Sequence, residues 1–130
     1  MLPRITLITP SFLQAAFLEE CLRSVHDQGY PNLEHMVVDG GSTDGSAAII
    51  ASYAEKLAWW CSEHDRGQSH ALNKGLARAT GEVFGWINSD DLLLPGSLQR
   101  VGEAFRDDPG LVVLTGVRRL RRPDGTEVPM

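Results

Sequence analysis

Positive charge is what this sequence is short of. Its 130 residues carry 12 Lys and Arg against 17 Asp and Glu, a formal net charge of −5. Nucleic-acid-binding surfaces are normally basic, so no nucleic-acid partner is expected. An acidic chain can still bind phosphates through a metal ion or backbone amides. Cysteine is scarce as well. Cys21 and Cys61 lie in apolar stretches, and no Cys-x-x-Cys or Cys/His zinc spacing accompanies them. They read as buried free thiols, which suit a reducing compartment. Long hydrophobic runs are missing too. The opening MLPRITLITPSF holds too short an apolar run for a signal peptide or a membrane span. A cytoplasmic location is expected, with peripheral association at the inner face of the membrane left open. Three signatures are also absent: Walker A, a Gly-x-Gly-x-x-Gly after the first strand, and a Gly-x-Ser-x-Gly elbow. P-loop chemistry, nicotinamide cofactors and that type of serine hydrolase are therefore unsupported.

What is present is ordinary for a globular protein, with 42% hydrophobic and 22% charged residues. The length suits one core and not two. Residues 5–9 form a β-branched run that ends at Pro10-Ser11, which predicts a strand. Phe17, Leu18, Cys21, Leu22 and Val25 fall at helical spacing, and Gly29 and Pro31 stop that helix. A second strand is predicted over 33–38, followed by the turn-rich loop Gly40–Gly45. A helix over 46–56, a strand over 57–61, and a helix marked by Ala71, Leu72, Gly75, Leu76 and Ala79 follow. A fourth strand is predicted over 82–87, a fourth helix from about Pro95, and a fifth strand over 111–117. Pro123-Asp124-Gly125 predicts a hairpin turn between 118–122 and 126–128. The alternation implies an α/β fold, Rossmann-like, with a mostly parallel sheet between two layers of helices.

In open α/β sheets, ligands bind at the carboxyl ends of the strands. Here those ends carry Thr9-Pro10-Ser11, Asp39, Glu63 and Asp65, and then Asn88-Ser89-Asp90-Asp91. Three strands thus aim acids at one rim. Crowded carboxylates repel unless a cation intervenes. A hard ion such as Mg²⁺ or Mn²⁺ suits oxygen ligands and keeps positions open for substrate phosphates. Asp90 is the residue expected to hold it, while Asp91 is equally well explained as a helix cap. Asp39 can cap the next turn or accept hydrogen bonds from a base or ribose. Arg118, Arg119, Arg121 and Arg122 form the one basic cluster, expected on a solvated hairpin.

Four segments in order resemble the family 2 glycosyltransferases, of the GT-A fold. ITLITPSF resembles the family's first strand and its nucleotide-contacting end, and VVDGGSTDGS its Asp-Gly-Ser-Thr-Asp-Gly segment. SEHDRGQSHALNKGLARATGE resembles the stretch with Glu-Pro-Asp-Lys-Gly and Asn-Lys-Gly. INSDDLLLP resembles the Asp-x-Asp motif and the Pro beyond it. The resemblance implies transfer of a sugar, with inversion, from a nucleotide-diphosphate sugar to an acceptor hydroxyl. UDP is the nucleotide it favours. Thr9, Pro10, Ser11, Asp39, Asp65 and Arg66 would then contact the nucleotide. Asn88, Ser89 and Asp90 would face the sugar and diphosphate, and Asp90 would bind Mn²⁺ or Mg²⁺. Asn88 departs from the pattern, standing where many members carry the first Asp.

The family's general base lies in a later half, so residues 1–130 are read as one donor-binding domain without the acceptor-binding part. The acceptor implied is a carbohydrate or a lipid-linked sugar, as in polysaccharide biosynthesis. Self-association as a homo-oligomer is expected if an apolar face is left bare. The alternatives are a non-catalytic nucleotide-sugar-binding module and a different Mg-dependent nucleotide-handling enzyme.

Overall fold

The apolar, β-branched runs do become strands. In the computed structural model, which describes residues 1–129, β1 (Ile5–Ser11), β2 (Leu33–Asp39), β3 (Trp59–Ser62) and β4 (Val83–Trp86) form one sheet. Its order is β3-β2-β1-β4, and every pairing is parallel. Between the strands lie α1 (Ala15–His26), α2 (Ser46–Ser52) and α3 (Gln68–Leu76), and α4 (Ser97–Asp107) follows β4. A short 3-10 turn, Ala54–Lys56, ends the predicted second helix.

Alternation along the strands sorts the core into two layers. On one face, Leu18 and Leu22 of α1 and Ile50 of α2 close over Val37, while Cys21 and Val25 close over Leu7. Leu98 of α4 joins the same face, over Ile5 and Val83. On the other face α3 covers Ile8, Met36 and Val38 through Ala71. A Cβ on Gly75 would stand 2.5 Å from Ile8 Cδ1, so the missing side chain lets α3 lie close on β1. The result is a three-layer α/β sandwich, as expected from the alternation.

The predicted fifth strand does not form. Residues 111–117 have no strand pairing, and Val112, Val113 and Val117 are exposed. Topology supplies the reason. The chain moves from β1 to β2 and on to β3 through helices on one face, and back across to β4 through α3 on the opposite face. Both directions are right-handed crossovers. With α4 on the face of α1, a right-handed crossover would carry the next parallel strand back over β1, a place already filled. For a parallel strand the free edge of β4 is reachable only by the left-handed form, seen in about 2% of such connections. Phe84 and Trp86 accordingly stay bare on the face of β4 that α3 does not reach. The hairpin beyond does form: Arg121 bridges Glu127 in antiparallel fashion, and Gly125 turns with φ 90°. Arg121 reaches back to Glu20 at 3.1 Å, and Arg119 lies 3.6 Å from Glu127, so half of the basic cluster is ion-paired. No helix of the described residues is long and apolar enough to cross a membrane.

Leu13 breaks a local rule. Its φ is 54°, a left-handed conformation that costs an L-residue about 1–2 kcal/mol. Two contacts hold the turn in place: Leu13 N donates to Ser42 Oγ at 2.8 Å and Ala15 N to Asp44 Oδ2 at 3.0 Å. Asn adopts this region more readily than Leu, and the Leu13 side chain is exposed. Leu13→Asn is expected to stabilise the chain by about 0.5–1 kcal/mol, read as a higher urea midpoint at unchanged slope.

Candidate functional site

Because all four strands run one way, their carboxyl ends share a rim, and a cavity of ≈ 460 Å³ opens there. Pro10 and Ser11 line it from the end of β1, and Asp65 and Gln68 from the approach to α3. Asn88, Ser89 and Asp90 line it from the loop after β4. Phe12 and Gly40 complete one side. A Cβ on Gly40 would stand 3.1 Å from Asp65 Oδ1 and 3.2 Å from Phe12 Cδ1, so glycine there lets the Phe12 ring and the Asp65 carboxylate close in.

Ser11 is buried. Its Oγ is the one buried side-chain polar atom, among the described residues, that has no hydrogen-bond partner. A buried hydroxyl left unpaired costs about 1–3 kcal/mol, and this one belongs to the cavity lining. Nearby, α3 begins at Gly67 with no side-chain cap. Its first-turn N–H groups therefore remain free, with the positive end of the helix dipole, where Gly67 and Gln68 line the cavity. Asp65 Oδ1 accepts from Gly67 N at 2.9 Å and shapes that turn.

Not every rim residue faces the cavity. Asp39 is wholly buried and spends its carboxylate on the loop that follows. Oδ2 accepts from Ser42 N at 2.8 Å, Gly41 N at 3.1 Å and Ser62 Oγ at 2.7 Å. Oδ1 accepts from Ser42 Oγ at 2.7 Å. Thr9 is buried too and shares a hydrogen bond of 2.8 Å with His35 Nε2. His35 Nδ1 in turn meets His26 Nε2 at 2.9 Å. Burial pushes His35 down to about 3, and the neighbouring His26 adds to the effect. Arg66 is exposed and outside the lining; its N–H donates to His70 Nδ1 at 3.0 Å. Glu63 is drawn off by Lys74 at 2.9 Å.

The acids expected to crowd one cation thus do not gather. Among the described residues no group of three or more His, Cys, Asp or Glu side chains could hold a metal ion. Asp39 and Glu63 have been taken by local partners, which leaves Asp65 and Asp90 in the lining. Asp91 is held above the ordinary carboxylate range, first by partial burial and then by the charge of Asp90, with a hydrogen bond from the Asn88 side chain pulling the other way. Sequence reasoning missed Phe12 and Gln68. The available signals were an aromatic placed directly after the polar end of the first strand, and a polar residue in the first turn of the third helix.

Comparison with known proteins identifies the family and the fold. The model of the family described as glycosyl transferase family 2 matches residues 6–128. A putative teichuronic acid biosynthesis glycosyltransferase, TuaG of Bacillus subtilis, is 32% identical over 127 residues, covering 95% of this chain and 50% of TuaG. An uncharacterized glycosyltransferase of Rickettsia typhi is 34% identical, over 75% of this chain and 30% of its own length. Among solved structures, a mannosyltransferase from Pyrobaculum calidifontis in complex with GDP-Man and Mn²⁺ is 38% identical. It superposes with a TM-score of 0.69, covering 75% of this chain and 31% of its own. S. aureus TarS 1-349 in complex with UDP-GlcNAc is 26% identical with a TM-score of 0.73, covering 80% and 31%. The chain spans about a third of the length of the first curated relatives it matches.

Proposed function

This chain belongs to glycosyl transferase family 2, and we propose that its cavity binds a nucleotide-diphosphate sugar whose sugar passes, with inversion, to an acceptor hydroxyl. The observation that carries the proposal is the unpartnered hydroxyl of Ser11 in the cavity lining. A buried hydroxyl that the protein does not satisfy is available to a ligand.

Each part of such a donor has a match. The exposed face of Phe12 offers a stacking surface for a base. Ser11 Oγ and the carboxylate of Asp65 offer hydrogen bonds to base or ribose. The free amides at the start of α3 suit a diphosphate, which the helix dipole attracts. Asn88, Ser89 and Asp90 stand where the sugar and its departing diphosphate would lie. Asp39 acts one step removed, by fixing the loop that brings Gly40 and Asp65 together. A single exposed carboxylate, Asp90, fits an ion of the Mg²⁺ type, which takes one or two protein carboxylates and completes its shell with phosphate oxygens and water. Such an ion would offset the negative charge that builds on the leaving diphosphate. No residue of this chain is assigned as the base that deprotonates the acceptor. A carbohydrate acceptor in polysaccharide synthesis is proposed by likeness to TuaG.

The test is a thermal-shift panel of UDP, GDP, dTDP and ADP with wild type, Ser11→Ala and Asp90→Ala. UDP is the expected nucleotide, and a ligand at a hundred times its Kd adds about 2.7 kcal/mol. Ser11→Ala is expected to stabilise the free chain by about 1 kcal/mol, because it removes an unpaired buried hydroxyl. The same substitution should shrink the nucleotide shift. A folded wild type that no nucleotide stabilises would overturn the proposal.

A further inference from the structure

Asn88 and Asp90 line the same cavity, yet the two are not equally free. Gln68 Nε2 donates to Asn88 Oδ1. The main-chain oxygen of Asn88 is also taken, by Asp91 N at 3.0 Å and by Cys21 Sγ at 3.5 Å. The Gln68 amide nitrogen only donates, so the side-chain oxygen of Asn88 is the acceptor that faces it. That oxygen, the one side-chain atom of Asn88 able to ligate a hard cation, is bonded to a side chain from another element. Asp90 Oδ1 and Oδ2 accept no hydrogen bond from the described residues, and no third acid completes a cluster with them.

We propose that Gln68 is a positioning residue that locks Asn88 out of cation coordination, so that a divalent ion enters this cavity together with the diphosphate and not before it. The inference rests on the donor reading above and deepens it. One carboxylate is too little to hold Mg²⁺ or Mn²⁺ in water. Sites with a full set of oxygen ligands can still be as weak as roughly 10⁻³ M. The diphosphate brings two or more charged oxygens, and the first turn of α3, which carries Gln68 itself, lies on the same wall. A ligand that draws Gln68 toward its phosphates would release Asn88 Oδ1 in the same movement. The lock would then keep the empty site from filling with free metal.

The test measures Mn²⁺ binding directly, by the loss of free-ion signal in an electron-paramagnetic-resonance titration, without and with saturating UDP or GDP. Wild type is expected to bind Mn²⁺ alone more weakly than about 10⁻³ M and at least about tenfold more tightly with nucleotide. Gln68→Ala, and Gln68→Met as the variant that keeps side-chain bulk, should tighten Mn²⁺ alone by about three- to tenfold. Asn88→Asp should tighten it by at least as much, showing that the position can ligate. Gln68→Ala combined with Asn88→Ala should return to the wild-type value, and Asp90→Ala should abolish binding in every background. Gln68 is exposed, so these variants should keep the wild-type melting temperature. Unchanged Mn²⁺ affinity in both Gln68 variants beside a tighter Asn88→Asp overturns the lock. So does a wild type that binds nucleotide yet holds Mn²⁺ equally well with and without it. If no nucleotide binds any protein while the Gln68 variants still tighten Mn²⁺, the donor reading fails and the lock stands.

Discussion

Between pH 6.5 and about pH 5 the folded chain is expected to lose about 2 kcal/mol of stability, most of it through His35. The imidazole is fully buried between Thr9 and His26. Its folded pKa is pushed from 6.5 to about 3, chiefly by burial and then by His26. A depressed pKa means that the unfolded chain takes up a proton which the folded chain refuses. Stability from this group is therefore complete above pH 6.5, falls by about 1.4 kcal/mol per pH unit below it, and is exhausted near the folded value. His26 is lowered as well, by burial first and then by the charge of Lys56, with Asp27 opposing, so it adds to the same slope. Carboxylates cannot mimic this window. Those held low, such as Glu34, Asp44 and Glu63, begin to lose their contribution only below their ordinary values near 4. The raised Asp91 works in the opposite direction. Against a typical total of about 5–15 kcal/mol, the expected loss is large. Urea unfolding from pH 7.5 to pH 5 at fixed ionic strength reads it. His35→Gln, which can still bond to both neighbours, should flatten the slope and lower the midpoint at pH 7. A wild-type midpoint that does not move across this range would show that His35 takes up its proton without unfolding the chain.

That histidine marks the boundary of what was legible in advance. The periodic runs announced four strands and four helices in order, and parallel α/β packing then follows from connection rules. The Thr-Pro-Ser and Asn-Ser-Asp segments fall at strand ends, because chain direction alone puts them there. Side-chain commitments were not legible. Asp39 looked free because the sequence does not show that Ser42 and Ser62 return to it. Glu63 looked like a rim acid until Lys74, one helix on, was found beside it. Thr6, Thr9, Glu34 and His35 all lie in strands and would ordinarily be placed on a wet face. Here both faces of β1 and β2 are covered, and each of these residues is satisfied by a partner on another element. The fifth strand failed for a different reason. Its composition favours a strand, but composition carries no information about which face of the sheet α4 occupies.

Glu34→Ala is expected to be the most damaging of these changes, at about 2–3 kcal/mol. The carboxylate is 5% exposed in the middle layer of the sandwich. Thr6 Oγ1 donates to Oε1 at 2.7 Å, Thr80 N to Oε1 at 2.8 Å and Thr80 Oγ1 to Oε2 at 2.6 Å. Burial alone would raise its pKa, but the hydrogen bonds from Thr80 and Thr6 outweigh burial and hold it below the ordinary range. Truncation takes the acceptor from three donors at once: the Thr6 hydroxyl is buried and its proton left unpaired, while Thr80 is exposed and its two donors can turn to water. Gly81 N donates to Thr6 Oγ1 at 2.9 Å, and a Cβ on Gly81 would stand 2.7 Å from the Thr6 nitrogen. Arg4 contributes far less: its side chain is 45% exposed and 3.4 Å from Oε2, so Arg4→Ala should cost under about 1 kcal/mol. Glu34→Gln keeps one acceptor oxygen and should fall between the two. The consequence reaches the cavity, since Thr80 and Gly81 join α3 to β4 and so set where Asn88, Ser89 and Asp90 stand relative to Ser11. Urea denaturation of the three variants at pH 7 reads the ranking. If Glu34→Ala proves no worse than Arg4→Ala, the cluster is ornamental to the fold and β4 must be held by apolar packing alone.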